Sequence, residues 1–135
     1  MTIGKLDDAI KCYDEIIRLD PNYAMAWKNK GKALYSQSKY DEAIKSYDEA
    51  IRLDPKDATD WNNKGLALYH QGKYYEAIKA YEKAIGINPE YATAWYNKAN
   101  ALRMLHRDSE TKAAYAKARE LGYSGTMTLM EMTAK

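Results

Sequence analysis

The 135-residue sequence contains no phenylalanine, one cysteine and three prolines. A lone Cys12 can form neither an intramolecular disulfide nor a cysteine-based metal site, which points to a reducing, cytoplasmic setting. Long apolar runs are also missing. No window approaches the roughly 18 consecutive apolar residues of a membrane span, and Met1-Thr2-Ile3-Gly4-Lys5 lacks the apolar core of a secretory signal. Neither charge sign dominates: 21 Lys and Arg against 19 Asp and Glu leave +2, interspersed along the chain. Nucleic acid would require basic residues concentrated on one face, so neither nucleic acid nor membrane is expected as a partner. Phosphate-cradling loops, paired-histidine zinc motifs and glycine-rich dinucleotide turns are absent, and no cofactor or metal is expected.

What is present is periodic. Trp27, Trp61 and Trp95 stand 34 residues apart, as do Pro21, Pro55 and Pro89. Laid over residues 58–91 without a gap, residues 24–57 are identical at 19 of 34 positions. Self-similarity at a fixed period of this length marks a repeat array. A weaker copy occupies 92–125, with Ala99 in the place of Gly31 and Gly65, and Thr111 in the place of Ala43 and Ala77. Residues 1–23 match the second half of a unit, and 126–135 lie outside the pattern. The expected organisation is one domain, 1–125, made of a half repeat 1–23 and full repeats 24–57, 58–91 and 92–125, followed by a tail 126–135.

Within a unit, Trp27, Gly31, Leu34 and Tyr35 share one helical face and predict a first helix over 24–37. Ala43, Ile44, Tyr47, Ala50 and Ile51 predict a second helix over 41–53, joined to the first by the short polar stretch Ser36 to Lys39. Asp54-Pro55 ends it, since a proline restricts the preceding residue and donates no N–H. The small pair Gly31 and Ala43, with Gly65 and Ala77 one unit on, suits close helix crossing. A single hairpin cannot bury both apolar faces, so successive hairpins must stack into an all-α solenoid.

The order Trp27, Gly31, Leu34, Tyr40, Ala43, Tyr47, Ala50, Pro55 at a period of 34 resembles the tetratricopeptide repeat, over about residues 4–123. The last unit departs from the pattern at Asp108, Thr111 and Tyr123, as a terminal repeat would. The resemblance implies a right-handed superhelix whose concave groove, lined by the first helix of each unit, binds a peptide of a partner protein. It implies no enzymatic activity. Chaperone-binding members of the family hold a C-terminal carboxylate in a two-carboxylate clamp. Lys28 and Asn63 match that pattern, whereas Lys32, Thr93 and Asn97 depart from it, so a chaperone-tail cofactor is not expected.

With Trp and Gly turned inward, the remaining stripe of the first helices defines the candidate groove: Lys28, Asn29, Lys32 and Tyr35; Asn62, Asn63, Tyr69 and His70; Tyr96, Asn97, Asn100 and Arg103. Met25, Ser36, Thr59, Leu66, Thr93 and Met104 fall on the same stripe. Asn29, Asn63 and Asn97 recur at the repeat period and predict an amide ladder that reads an extended backbone. Lys28, Lys32 and Arg103, with no acidic residue in the stripe, predict a mildly positive groove suited to an acidic or carboxylate-ended peptide. The alternative is a structural module that self-assembles through unpaired terminal helices.

Other residues carry little chemistry. His106, Arg107, Asp108 and Ser109 gather hydrolase-triad residue types, but neighbours in one turn seldom converge on a substrate. They read as a hairpin turn with Asp108 or Ser109 capping the next helix. Cys12 reads as a half-exposed, inert thiol. The first helix, about Leu6 to Leu19, lacks a preceding partner, which is expected to leave Ile10 and Ile17 open, either because the chain is a fragment of a longer array or because this end is an assembly site that favours self-association. The tail has two readings: Thr126 caps a short helix that folds Met127, Leu129 and Met130 back as a lid, or the tail is disordered.

Overall fold

The computed structural model describes residues 3–125. The helix expected after Thr126 lies outside that range. Seven helices account for the described residues: α1 (Ile3–Leu19), α2 (Ala24–Ser36), α3 (Tyr40–Leu53), α4 (Ala58–His70), α5 (Tyr74–Ile87), α6 (Ala92–Met104) and α7 (Asp108–Glu120). Each lies within about three residues of its expected bounds. The two stops expected at prolines hold: α3 ends one residue before Asp54-Pro55 and α5 one residue before Asn88-Pro89.

Hairpins α2–α3, α4–α5 and α6–α7 share one turn. Ser38, Gly72 and His106 occupy the same place in it, all with positive φ (61°, 77° and 57°). That twist lets the amide of Lys39 bond to the carbonyl of Leu34, Lys73 to Leu68 and Arg107 to Leu102, closing the end of each first helix. Only Gly72 adopts the conformation without a Cβ penalty. The expectation that Asp108 or Ser109 caps α7 fails. The N-cap is Arg107, which makes no side-chain cap bond, and its guanidinium holds Glu110 at 2.7 Å instead.

Packing inside hairpins α2–α3 and α4–α5 depends on a missing side chain. A Cβ on Gly31 would lie 2.5 Å from Cε1 of Tyr47, and Gly65 meets Tyr81 in the same way. The glycines therefore oppose an aromatic ring, whereas the sequence had suggested small residues on both helices. Tyr47, Tyr81 and Tyr115 are each no more than 1% exposed. The main core gathers Leu68, Ala77, Ile78, Tyr81, Ala99, Leu102 and Tyr115, and a smaller cluster gathers Leu34, Ala43 and Tyr47.

Successive hairpins are clasped on the outside. Lys30, Lys64 and Lys98 each reach back 16 residues to an acid of the preceding helix: Asp14 at 2.6 Å, Asp48 at 2.7 Å and Glu82 at 3.2 Å. Each lysine also lies over the tryptophan three residues before it, 5.2–5.8 Å from the ring. The helices α2, α4 and α6 touch one another in turn, while α1, α3, α5 and α7 do not. That asymmetry curls the stack into a right-handed superhelical solenoid with the first helices on its concave side.

Candidate functional site

The concave face carries the candidate residues, but in three environments. At its middle, Lys32, Tyr35, Ser36, Tyr47, Asn63 and Leu66 line a pocket of about 180 Å³ between α2 and α4. Lys32 is exposed. The Nδ2 donor of Asn63 is shielded from water and has no hydrogen-bond partner. Aromatic Tyr35 and aliphatic Leu66 form the wall, so the pocket combines one cation and one waiting donor with apolar flanks. Asn29 is half-buried on the same helix as Lys32.

Lys28 lies in a second environment, and here the expected charge pattern is corrected. Its ammonium is paired with Asp57, to which it donates a hydrogen bond, and stands 3.8 Å from Asp60. Asp60 lies on α4 where the other units have Ala26 and Ala94, and is 1% exposed. Two carboxylates thus flank the stripe from positions outside it, and Lys28 is committed to them. Burial pushes the Asp60 carboxyl up to about 6; Lys28 pulls it down while Asp57 and Asp54 push it further up. Asp57 moves the opposite way. Burial raises it, but the hydrogen bond and charge of Lys28, with the Thr59 amide, outweigh burial and hold it below the usual carboxylate range.

Asn62 and Asn97 are also buried, at 3% and 8% exposure. Nδ2 of Asn97 donates to Oδ1 of Asn62 at 3.0 Å, and the Tyr91 hydroxyl engages Asn62 and Thr59. These amides join first helices to each other, which removes Asn97 from the expected ladder. Farther along, Tyr96 stacks on Tyr123 at 4.1 Å, Asn100 accepts a hydrogen bond from the Tyr115 hydroxyl at 2.5 Å, and the Arg103 guanidinium lies 5.9 Å from the Tyr115 ring.

The third environment is an aromatic cluster at the hairpin end of the groove. The exposed His70 ring stacks on Tyr40 at 5.5 Å and meets Tyr35 and Tyr69 edge-on at 5.6 and 5.5 Å; Tyr69 continues to Tyr74 at 5.3 Å. These contacts tie one unit to the next. Sequence reasoning missed Asp57, Asp60, Tyr91 and Tyr40. One signal for Asp60 was available: a carboxylate interrupting an alanine row at the repeat period.

Elsewhere, Cys12 is exposed rather than half-buried, and Ile10 is half-buried against the cluster of Leu34, Ala43 and Tyr47 rather than open. Ile17 is half-buried as well. No helix among the described residues is long and apolar enough to cross a membrane, and none of their His, Cys, Asp and Glu side chains form a group of three placed to hold a metal.

Comparison with known proteins bears on the fold. The family profile described as tetratricopeptide repeat matches residues 1–58, 30–92 and 62–122. No curated protein matches the chain. Among solved structures, a crystal structure of MamA superposes with a TM-score of 0.84 at 26% identity, covering 88% of this chain and 70% of that one. The first tetratricopeptide domain of Spaghetti (RPAP3), bound to the HSP90 peptide SRMEEVD, gives 0.73 at 28% identity, covering 76% and 81%. MamA from Desulfovibrio magneticus RS-1 gives 0.82 at 23% identity, covering 92% and 70%, a likeness of fold alone.

Proposed function

Since the chain belongs to the tetratricopeptide repeat family, we propose that it is a non-enzymatic scaffold holding an extended, acidic segment of a partner protein in its concave groove. The pocket between α2 and α4 carries this reading. Lys32 offers a positive charge bound to no carboxylate among the described residues, and Asn63 lines the same pocket with an Nδ2 donor that has no partner among them. A carboxylate side chain meets both, and Tyr35 and Leu66 cover its methylene stem. The peptide-bound RPAP3 domain supports peptide capture on this fold. With Lys28 neutralised by Asp57 and Asp60, a clamp for a terminal carboxylate is not the reading favoured here.

Fluorescence anisotropy with a labelled Glu-rich nonapeptide and its Gln-substituted counterpart tests the proposal. The acidic peptide is expected to bind, and Lys32→Glu and Asn63→Ala to weaken it on the order of tenfold or more. Equal binding of the neutral peptide, or indifference to Lys32→Glu, would sink it.

A second reading, assembly through the end helices, draws support from α1, whose helix neighbour among the described residues is α2. Head-to-tail stacking is not favoured. Where α3 and α5 present Ile44 and Ile78 to the next unit, α7 presents the exposed Lys112. Sedimentation that finds a strict monomer at millimolar protein would remove self-assembly.

A further inference from the structure

The buried tyrosines of the second helices meet different groups on the first helices. In α6–α7 the Tyr115 hydroxyl donates to Asn100 on the first helix of its own hairpin, at 2.5 Å. At the repeat period the place of Asn100 is taken by Leu66 in α4 and by Lys32 in α2, and neither side chain accepts a hydrogen bond. The Tyr81 hydroxyl is accordingly buried with no partner among the described residues. Tyr47 differs in one respect: it lines the pocket between α2 and α4, together with Lys32, Ser36 and Asn63. Burial raises the Tyr47 phenol, so its hydroxyl keeps its proton and serves as a donor. The charge of Asp60 also reaches Tyr47, but Lys28 stands 3.8 Å from that carboxylate, which does not line the pocket.

Four donor-bearing side chains from three helices thus surround one pocket: the Lys32 ammonium and Ser36 hydroxyl of α2, the Tyr47 hydroxyl of α3, and the Asn63 amide of α4, whose Nδ2 has no partner among the described residues. None of the lining side chains is acidic. A planar carboxylate offers two oxygens in one plane. A phosphoryl group is tetrahedral, carries about −1.5 to −2 charge near neutral pH and turns three strong acceptor oxygens in different directions. Donors arriving from three helices suit the second shape better than the first. We infer that this pocket is a phosphoryl site, reading a phosphoserine in the extended segment of the partner. Its volume of about 180 Å³ is many times the ~10–15 Å³ that admits one water, so the phosphoryl group fits together with the methylene that carries it. Tyr35 and Leu66 flank that methylene. The inference rests on the acidic-segment reading and makes it conditional: a kinase acting on the partner would switch the interaction on.

The probe is one labelled nonapeptide in four forms, carrying at its centre Ser, Glu, the pair Glu-Glu or phosphoserine, titrated with the full chain by fluorescence anisotropy. Phosphoserine is expected to bind on the order of tenfold tighter than Glu-Glu, which adds about the same charge. Tyr47→Phe and Ser36→Ala should each weaken the phosphoserine peptide more than the Glu-Glu peptide and so shrink that ratio. Ser36 is exposed, so its variant probes the pocket without disturbing the core. Tyr81→Phe, the same change outside the pocket, should leave the ratio as it was. Glu-Glu binding as tightly as phosphoserine, or a ratio that neither pocket variant moves, overturns the inference and leaves the acidic-segment reading standing. Absence of binding by all four forms overturns both. Inorganic phosphate competing as well as the unlabelled phosphopeptide assigns the pocket to the free ion and overturns its assignment to a partner segment.

Discussion

Lys28 and Asp60 face each other across the contact of α2 and α4, with the ammonium nitrogen 3.8 Å from a carboxylate oxygen that has no hydrogen bond and almost no contact with water. The groups facing that carboxyl are Lys28 from α2, Tyr47 from α3, and Asp54 and Asp57 from the loop before α4. An alanine fills the position in both other units. Asp60 therefore carries a desolvation cost that the repeat design does not require.

The cost has a pH signature. A carboxyl raised from 3.8 to about 6 in the folded chain binds its proton more tightly there than in the unfolded chain. Stability should fall as pH rises through that window and stay reduced above it. Asp57, held low, contributes stability at neutral pH that fades in acid. Asp60→Ala should raise neutral-pH stability by about 3 kcal/mol and flatten the profile between pH ~4 and ~6. Urea unfolding of both proteins across the range measures it; an unchanged slope in the variant would contradict the assignment.

Gly65 opposes Tyr81 without room for a methyl group. Alanine gains up to ~1 kcal/mol of helix propensity, yet must displace a buried ring at a cost of about 1–3 kcal/mol. Gly65→Ala should be net destabilising and Gly65→Val more so, with Tyr81→Leu recovering part of the loss in the double variant. Thermal unfolding of the three proteins tests the order.

Ser38 and His106 hold the left-handed position that Gly72 fills in the middle hairpin. Ser38→Gly and His106→Gly should each stabilise by about 0.5–1 kcal/mol, because the Cβ penalty exceeds the entropy that glycine adds to the unfolded chain. A lower denaturation midpoint in either variant would show that the side chain earns its place by contacts.

The buried amides predict coupling. Asn62→Ala strands the Nδ2 of Asn97 and Asn97→Ala strands the Oδ1 of Asn62. Each single change should cost about 1–3 kcal/mol, and the double change less than their sum. A double-mutant cycle in urea reads the difference; strict additivity would mean that the amides act separately.

The fold was legible because its determinants repeat. Trp27, Gly31, Tyr47 and Pro55 return at one period, and each constrains the same contact wherever it falls. The candidate site was legible only in part. Lys32, Tyr35, Asn63 and Leu66 fall where helical projection places them, around a pocket. Lys28, Asn62 and Asn97 do not remain available, because their partners sit on neighbouring helices and a projection of one helix contains no partner. Asp57, 29 residues away in sequence, took up the charge expected of Lys28, with Asp60 beside it. Similarly, Ile10 was expected at the open end and packs inward, since the apolar side of α1 is wide enough to serve both directions.

The external clasps of Lys30, Lys64 and Lys98 have one more consequence. Each spans a single joint between neighbouring hairpins, and none reaches across two. The molecule is therefore a train of similar couplings, and the angle set at one coupling is inherited by every hairpin beyond it. Loosening Lys64 from Asp48 would act less on local strength than on aim, swinging the distant arm of the groove while leaving each hairpin whole.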